Sequence, residues 1–114
     1  MGWLLLAAEV DITGTWAGET EAPDFEDPDR ITMVIKNVDG QFTGTVSDSF
    51  GMMNEAECED VELEGTKLTM NVEIVNPDGE YIRVWITLNV EGDTMKGHWE
   101  SEDGETNTID LERQ

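Results

Sequence analysis

Three short turns, each containing an acidic residue beside a glycine, divide this chain into alternating runs. They are Asp39-Gly40, Glu64-Gly65 and Glu91-Gly92-Asp93, and their glycines lie 25 and 27 residues apart. Such pairs supply the positive φ angles that two-residue β-hairpin turns need. The runs between them alternate apolar and polar side chains, which is the pattern of half-buried strands. The sequence therefore predicts three tight hairpins as successive units of one antiparallel meander.

The register of each hairpin follows from placing inward side chains opposite inward side chains. We take Asp39-Gly40, Glu64-Gly65 and Gly92-Asp93 as the turn residues. The pairs that this predicts are Met33 with Val46, Val61 with Leu68, and Ile86 with Trp99. Upstream of Val61 the inward positions change phase, so we expect a β-bulge near Glu59-Asp60.

Two further turns, at Asn76–Gly79 and Asp103–Glu105, complete the meander. The last one returns the chain into a strand over Thr106–Glu112. The total is eight strands, an even number that lets the last strand pair with the first and removes both sheet edges. We therefore predict an all-β fold, an eight-stranded antiparallel up-and-down β-barrel without a major helix, as one domain over residues 10–114. A two-sheet sandwich is the alternative.

The segment Ile12–Gly18 reads ITGTWAG and is expected to be the first barrel strand. Its glycines, two residues either side of Trp16, can leave room for the ring to lie across a barrel floor. A G-x-W motif near the start of a small all-β chain resembles the first strand of lipocalins and avidins. The chain thus resembles a lipocalin-like, calycin-type barrel, on the evidence of this segment and the meander. The resemblance implies a barrel that holds a small molecule.

Loops of an up-and-down barrel alternate between its two ends. The three tight turns and both termini share one end, and the longer loops, including 19–30 and 49–54, share the other, which is the predicted mouth. Inward strand positions below it are almost wholly apolar. The predicted ligand-binding residues are Phe50, Met52 and Met53 at the mouth, and Met33, Met70, Ile86 and Trp99 deeper in. A barrel of this size either holds one small ligand or is filled by its own side chains.

No catalytic constellation is recognisable. His98 is the only histidine and is expected to point outward, whereas the single Cys58 is expected to point inward. Carboxylates occupy mostly outward or turn positions, so we expect no pair inside an apolar pocket with a raised pKa. The acidic run Asp24–Asp29 could bind Ca²⁺, but Pro28 interrupts it and a solvated loop is favoured. We predict no catalytic residue, no metal ion and no cofactor.

Acidity dominates the composition, with 27 Asp and Glu against 6 Lys and Arg and a formal net charge of −21. Such a chain repels nucleic acid and anionic membranes, so neither is a predicted partner. The carboxylates are interpreted as a solvated coat suited to a salt-rich environment, with cation binding, a basic partner or simple solubility as alternatives. The low lysine content is compatible with a halophilic source.

The first nine residues form an apolar segment in which Trp3–Ala8 contains only uncharged, apolar side chains. Six residues cannot span a bilayer, so no membrane insertion is predicted. The segment resembles the tail of a secretory signal peptide without its positive region, or it forms an extra strand. We predict a secreted or periplasmic protein, with a cytoplasmic location as the alternative. Self-association is expected through Trp3–Ala8 or through the outward face carrying Tyr81 and Trp85.

The predicted function is binding of an apolar or amphipathic small molecule inside the barrel, without chemistry. One alternative is a cyclase-type enzyme that uses the barrel as a reaction chamber, which needs few acid–base residues. The other is a structural or self-associating accessory module with a filled barrel. Whether the chain is an enzyme is thus left open.

Overall fold

The computed structural model describes residues 11–21 and 25–114, and within these ranges it has nine antiparallel strands and no helix. Accordingly, no described helix could cross a membrane. The predicted apolar segment over residues 1–9, with its export, strand and self-association hypotheses, lies outside the described residues. The strands are β1 Gly14–Thr20, β2 Asp29–Val38, β3 Gln41–Asp48, β4 Ala56–Glu57, β5 Glu59–Glu64, β6 Lys67–Val75, β7 Tyr81–Glu91, β8 Thr94–Ser101 and β9 Thr106–Arg113.

All nine strands belong to one sheet in the order β4-β3-β2-β1-β9-β8-β7-β6-β5. The last strand pairs with the first, with Gly18 opposite Leu111. The two edges, β4 and β5, are separated in the chain by Cys58 alone, whose amide donates to the carbonyl of Gly44 at 2.8 Å. The sheet therefore curls into a nearly closed up-and-down barrel, and the predicted fold class is confirmed.

The count of nine strands instead of eight arises over Ala56–Glu64, which was expected to be one strand. Its first part, β4, pairs with β3, and its second part, β5, pairs with β6. Between Glu59 and Glu62 the register with β6 shifts, and Asp60 has a φ of 52°. The predicted bulge is thus confirmed, and it allows one segment to connect two strands that are not direct neighbours.

Two of the three tight hairpins have the predicted register. Met33 lies opposite Val46 and Ile86 lies opposite Trp99. The register predicted for the middle hairpin is wrong, because the turn residues are Gly65-Thr66 and Leu68 lies opposite Leu63. With a φ of 63°, Gly65 occupies the first of the two turn positions, where a positive φ favours glycine.

Trp16 seals the barrel end that carries the tight turns. Its side chain is fully buried, and its Nε1 donates to the carbonyl of Ile12 at 3.0 Å. The Arg113 guanidinium lies 4.3 Å from the centre of the ring. A Cβ on Gly18 would lie 1.7 Å from the Asp110 carbonyl oxygen. This glycine therefore permits the close approach of β9. That it also leaves room for the Trp16 ring stays a prediction.

Candidate ligand cavity

A cavity of about 550 Å³ lies at the end of the barrel opposite Trp16. It is bounded by the end of β1 and start of β2, by the loop after β3, by the β6–β7 turn and by the β8–β9 turn. These are the loops that were predicted to form the mouth, because successive loops alternate between the two ends of the barrel. The volume lies within the range of pockets that hold small organic ligands.

The deep wall of the cavity consists of aliphatic side chains that point inward from five strands. Each is at most 7% exposed, because inward positions at every second residue face the barrel interior. They are Ile31 from β2, Val46 from β3, Val72 from β6, Val84 and Ile86 from β7, and Ile109 from β9. Ile74, Ile82 and Trp99 continue this wall towards the mouth and are half-buried. The wall offers apolar contact on most of its circumference.

Of the seven predicted ligand-binding residues, four line the cavity: Met52, Met53, Ile86 and Trp99. Met33 and Met70 are also buried in the barrel interior, but they belong to the packed core and are not among the described residues that line the cavity. Phe50 stacks on Phe25 with ring centres 4.2 Å apart, and Phe25 lines the cavity. Contact of these side chains with a ligand stays a prediction.

The main-chain groups of Met52 and Met53 attach their loop to the barrel by hydrogen bonds. The Met53 amide donates to Asp48 Oδ1 at 2.8 Å, and the Val75 amide donates to the Met52 carbonyl at 3.0 Å. Met53 also packs against the core. The stacked Phe25 and Phe50 rings join this loop to the loop before β2. The two loops therefore form one connected lip.

Asp29 places a buried carboxyl group on the cavity wall. The residue is 1% exposed, and its Oδ1 accepts hydrogen bonds from the Ser49 amide at 3.0 Å and the Ser49 hydroxyl at 2.9 Å. The Asp48 carboxyl is its acidic neighbour. Burial, followed by the hydrogen bond and charge of Asp48, raises the pKa of Asp29 to about 7, although the Ser49 bonds act in the opposite direction.

The Asp29–Asp48 pair corrects two sequence interpretations. Asp29 was placed in a solvated acidic loop, and no carboxyl pair with a raised pKa was expected in an apolar interior. Both interpretations are wrong at this position, although Glu26 and Asp27 are exposed. The sequence did contain a signal that both carboxyls point inward, because residues two apart in a strand lie on the same face. Asp29 precedes the inward Ile31 by two residues, and Asp48 follows the inward Val46 by two.

The remaining polar groups at the mouth are hydrogen-bonded to one another. Trp99 Nε1 donates to Thr20 Oγ1 at 2.7 Å, and that hydroxyl donates to the Thr108 carbonyl at 2.6 Å. The buried Ser101 hydroxyl donates to Asp103. These bonds fix the Trp99 ring and the β8–β9 turn at the rim.

Every charged residue among the described cavity-lining residues is acidic. Four of them, at the rim, are exposed, and the fifth is the buried Asp29. The rim residues are Glu21, Asp78, Asp103 and Glu105. Among the described residues there is also no group of three or more Asp, Glu, His or Cys side chains that could hold a metal ion.

Cys58 and His98 lie away from the cavity wall. Burial raises the pKa of the Cys58 thiol to about 12, so this thiol stays protonated and unreactive at neutral pH. His98 is exposed on the outer face of β8 opposite Thr87, as predicted. Neither residue is among those described as lining the cavity.

The outer face of β7 exposes two aromatic side chains, Tyr81 at 70% and Trp85 at 47%. Between them Arg83 donates to Glu59 at 2.8 Å and to Asn71 at 2.9 Å. The guanidinium is therefore held by its own neighbours. Self-association through this face stays a prediction.

No protein-family model, curated protein or solved structure matches this chain. A functional assignment of this chain therefore depends on the geometry of the barrel and its cavity.

Proposed function

We propose that this chain is a lipocalin-like barrel that binds an apolar or amphipathic small molecule in the cavity at its loop end. The observation that supports the proposal is the cavity of about 550 Å³ with a continuous aliphatic wall. The G-x-W strand and the nearly closed meander support the lipocalin-like assignment.

The arrangement of the two barrel ends also favours a binding role. Trp16 and the core around it fill the end with the tight turns, so a ligand enters past the lip formed by the loops that carry Phe25 and Phe50. Burial of an apolar ligand against the aliphatic wall contributes about 25 cal/mol for each Å² removed from water. The hydrophobic effect is therefore the main source of affinity.

Titration with the neutral fluorophore N-phenylnaphthylamine tests this proposal. We expect saturable binding with increased fluorescence, because the probe moves from water into an apolar chamber. Val84→Trp, on the deep wall, should weaken binding at least about tenfold, since the larger ring occupies ligand space and one tenfold step needs only about 1.4 kcal/mol.

Val38→Trp is the matched control, because Val38 is 51% exposed on β2 at the opposite end. Circular dichroism should show that both variants keep the sheet. The proposal is contradicted if the unmodified protein does not bind the probe, or if the Val84→Trp protein binds it as well as the Val38→Trp protein does. Either result would indicate a filled barrel that acts through its surface.

A further inference from the structure

We infer that the ligand of this cavity is an amphipathic cation, with an apolar body against the aliphatic wall and an ammonium-type group held by the mouth carboxyls and the Asp29–Asp48 pair. This inference depends on the proposed function and specifies the ligand class. It follows from the distribution of apolar and charged groups around one cavity.

The deep part of the cavity determines where the apolar part of the ligand lies. The deep wall residues, such as Val72, Val84 and Ile86, carry no polar side-chain atom and are almost completely buried. A polar or charged group placed among them would lose its hydration without gaining a partner. The charged part of the ligand must therefore lie nearer the rim.

The sign of that charge is defined by the residues at the rim. Glu21, Asp78, Asp103 and Glu105 come from three different connections and surround one opening. No Lys, Arg or His from residues 11–21 or 25–114 lines the cavity. Charges of one sign around a cleft with apolar walls concentrate counter-ions of the opposite sign there. A carboxylate ligand such as a fatty acid would instead meet repulsion at the entrance.

Asp29, with Asp48 beside it, is a second, independent observation, because the Asp29 side chain is buried on the cavity wall and does not belong to the solvated rim. Asp29 is 1% exposed and lines the cavity. Asp48 Oδ2 is buried, and when Asp29 is ionised it has no hydrogen-bond partner among the described groups. The charge of Asp48 opposes ionisation of Asp29, because two neighbouring carboxylates repel each other. A ligand cation beside them would relieve the repulsion and provide the missing hydrogen-bond donor.

Binding of a cation should consequently displace the proton from Asp29. The titratable groups that face Asp29 are Asp48 on β3 and, around the same cavity, Glu21, Asp78, Asp103 and Glu105. All of them are acids, so a bound ammonium group is the new positive charge and lowers the pKa of Asp29 from about 7. Affinity for the cation should rise as the pH increases through this value.

The test compares three ligands with the same ten-carbon tail: decylammonium, decanol and decanoate. Each displaces N-phenylnaphthylamine from the protein at about pH 8.5, which is above the pKa of about 7 of Asp29. We expect decylammonium to bind at least about tenfold more tightly than decanol, and decanoate to bind most weakly, because water screens the charge of the buried Asp29 carboxylate less than it screens the rim charges. Molar KCl should reduce this preference only in part, since salt screens the buried Asp29 less than the rim carboxylates.

Variants distinguish the effect of Asp29 and Asp48 on cation binding from the effect of the protein's overall negative charge. Asp29→Asn and Asp48→Asn should each lower the affinity for decylammonium at least about tenfold at this pH and leave that for decanol unchanged. Asp39→Asn is the matched control, because it removes the same charge from an exposed turn at the opposite end. It should leave both affinities unchanged. Calorimetry near pH 7 in buffers of different ionisation enthalpy should detect proton release on decylammonium binding.

The outcomes distinguish the two proposals. If decanol displaces the probe but decylammonium has no advantage, or if the Asp39→Asn protein loses as much affinity as the Asp29→Asn protein, the cation inference is overturned and the binding function stands. If no ligand displaces the probe because the probe itself never binds, the binding function fails and the inference fails with it. A preference for decanoate would also overturn the inference.

Discussion

At the scale of single residues, burial of Asp29 changes how the folded state responds to pH. The pKa of this carboxyl rises from 3.8 to about 7 on folding, mainly through burial and secondarily through Asp48. The folded protein therefore binds more protons than the unfolded chain between these values. Its contribution to stability is largest below pH 4 and is lost as the pH rises to 7.

Asp29→Asn should remove this loss. The amide oxygen can still accept the two hydrogen bonds from Ser49, and the amide nitrogen can donate to Asp48, so the substitution imitates the protonated acid. At pH 8 the variant should be more stable than the unmodified protein by up to about 4 kcal/mol, which is the free energy of three pKa units. At pH 4 the two should be nearly equal.

Urea unfolding at both pH values provides the measurement, with Asp39→Asn as the control for loss of one negative charge. A gain in stability that is the same at pH 4 and pH 8 would contradict the shifted pKa. So would an equal gain in the Asp39→Asn protein at pH 8, because that result would assign the effect to net charge alone.

The sequence predicted the position of a residue correctly where two signals indicated the same environment. These signals are the polarity of the side chain and its inward or outward place in the strand alternation. Ile86 and Trp99 are apolar, inward and on the cavity wall, as their alternation indicated. Asp29 was missed because its chemistry suggested a loop while its phase indicated the interior. Met33 and Met70 have the predicted inward direction, but the sequence carries no measure of depth along the barrel axis, which separates filled core from open cavity.

At the scale of strands, Arg113 ties the end of β9 to the chain just before β1. Its Nη1 donates to the Thr13 carbonyl at 2.6 Å and its Nη2 to the Asp11 carbonyl at 2.7 Å, while Asp93 accepts from its Nε. The same guanidinium covers the face of Trp16. One planar side chain thus joins the barrel closure to the seal at its closed end.

Arg113→Lys should destabilise the barrel although it keeps the charge. An ammonium group cannot reproduce the planar fork that reaches two carbonyls and covers the ring. We expect the free energy of unfolding to fall by about 1–3 kcal/mol, the range for lost charged hydrogen bonds and a cation–π contact. Arg30→Lys on an exposed position of β2 is the control and should change stability little. Equal effects of the two substitutions would show that the fork has no special role.

Strand-level prediction worked because turn chemistry and alternation are local. The hairpins at Asp39-Gly40 and Gly92-Asp93 have the expected pairs, and β9 closes on β1. The middle hairpin was predicted two residues out of register, which leaves every side chain on the same face and so is invisible to an alternation test. The division of Ala56–Glu64 into β4 and β5 depends on which neighbour each half pairs with, and local sequence does not encode that choice.

At the scale of the whole molecule, negative charge is concentrated outside the barrel with little compensation. The protein has 27 Asp and Glu against 6 Lys and Arg, and among the described residues only Arg83 and Arg113 form ion pairs with carboxylates. Such pairs at a surface contribute little to stability. Mutual repulsion of the carboxylates therefore opposes folding at low ionic strength, because compaction brings them together.

Salt should stabilise this barrel strongly. Screening shortens the reach of charge repulsion to about 10 Å at 0.1 M salt and about 3 Å at 1 M, so the Tm should rise by at least about 5 °C between low salt and molar KCl at pH 7, which for a domain of this size corresponds to about 1 kcal/mol. The same scan near pH 4 is the internal control, because partial protonation of the carboxylates reduces the repulsion that salt can screen. A Tm that does not change with KCl at pH 7 would remove the interpretation of the acidic coat as an adaptation to salt. An equal rise at both pH values would assign the effect of KCl to something other than carboxylate repulsion.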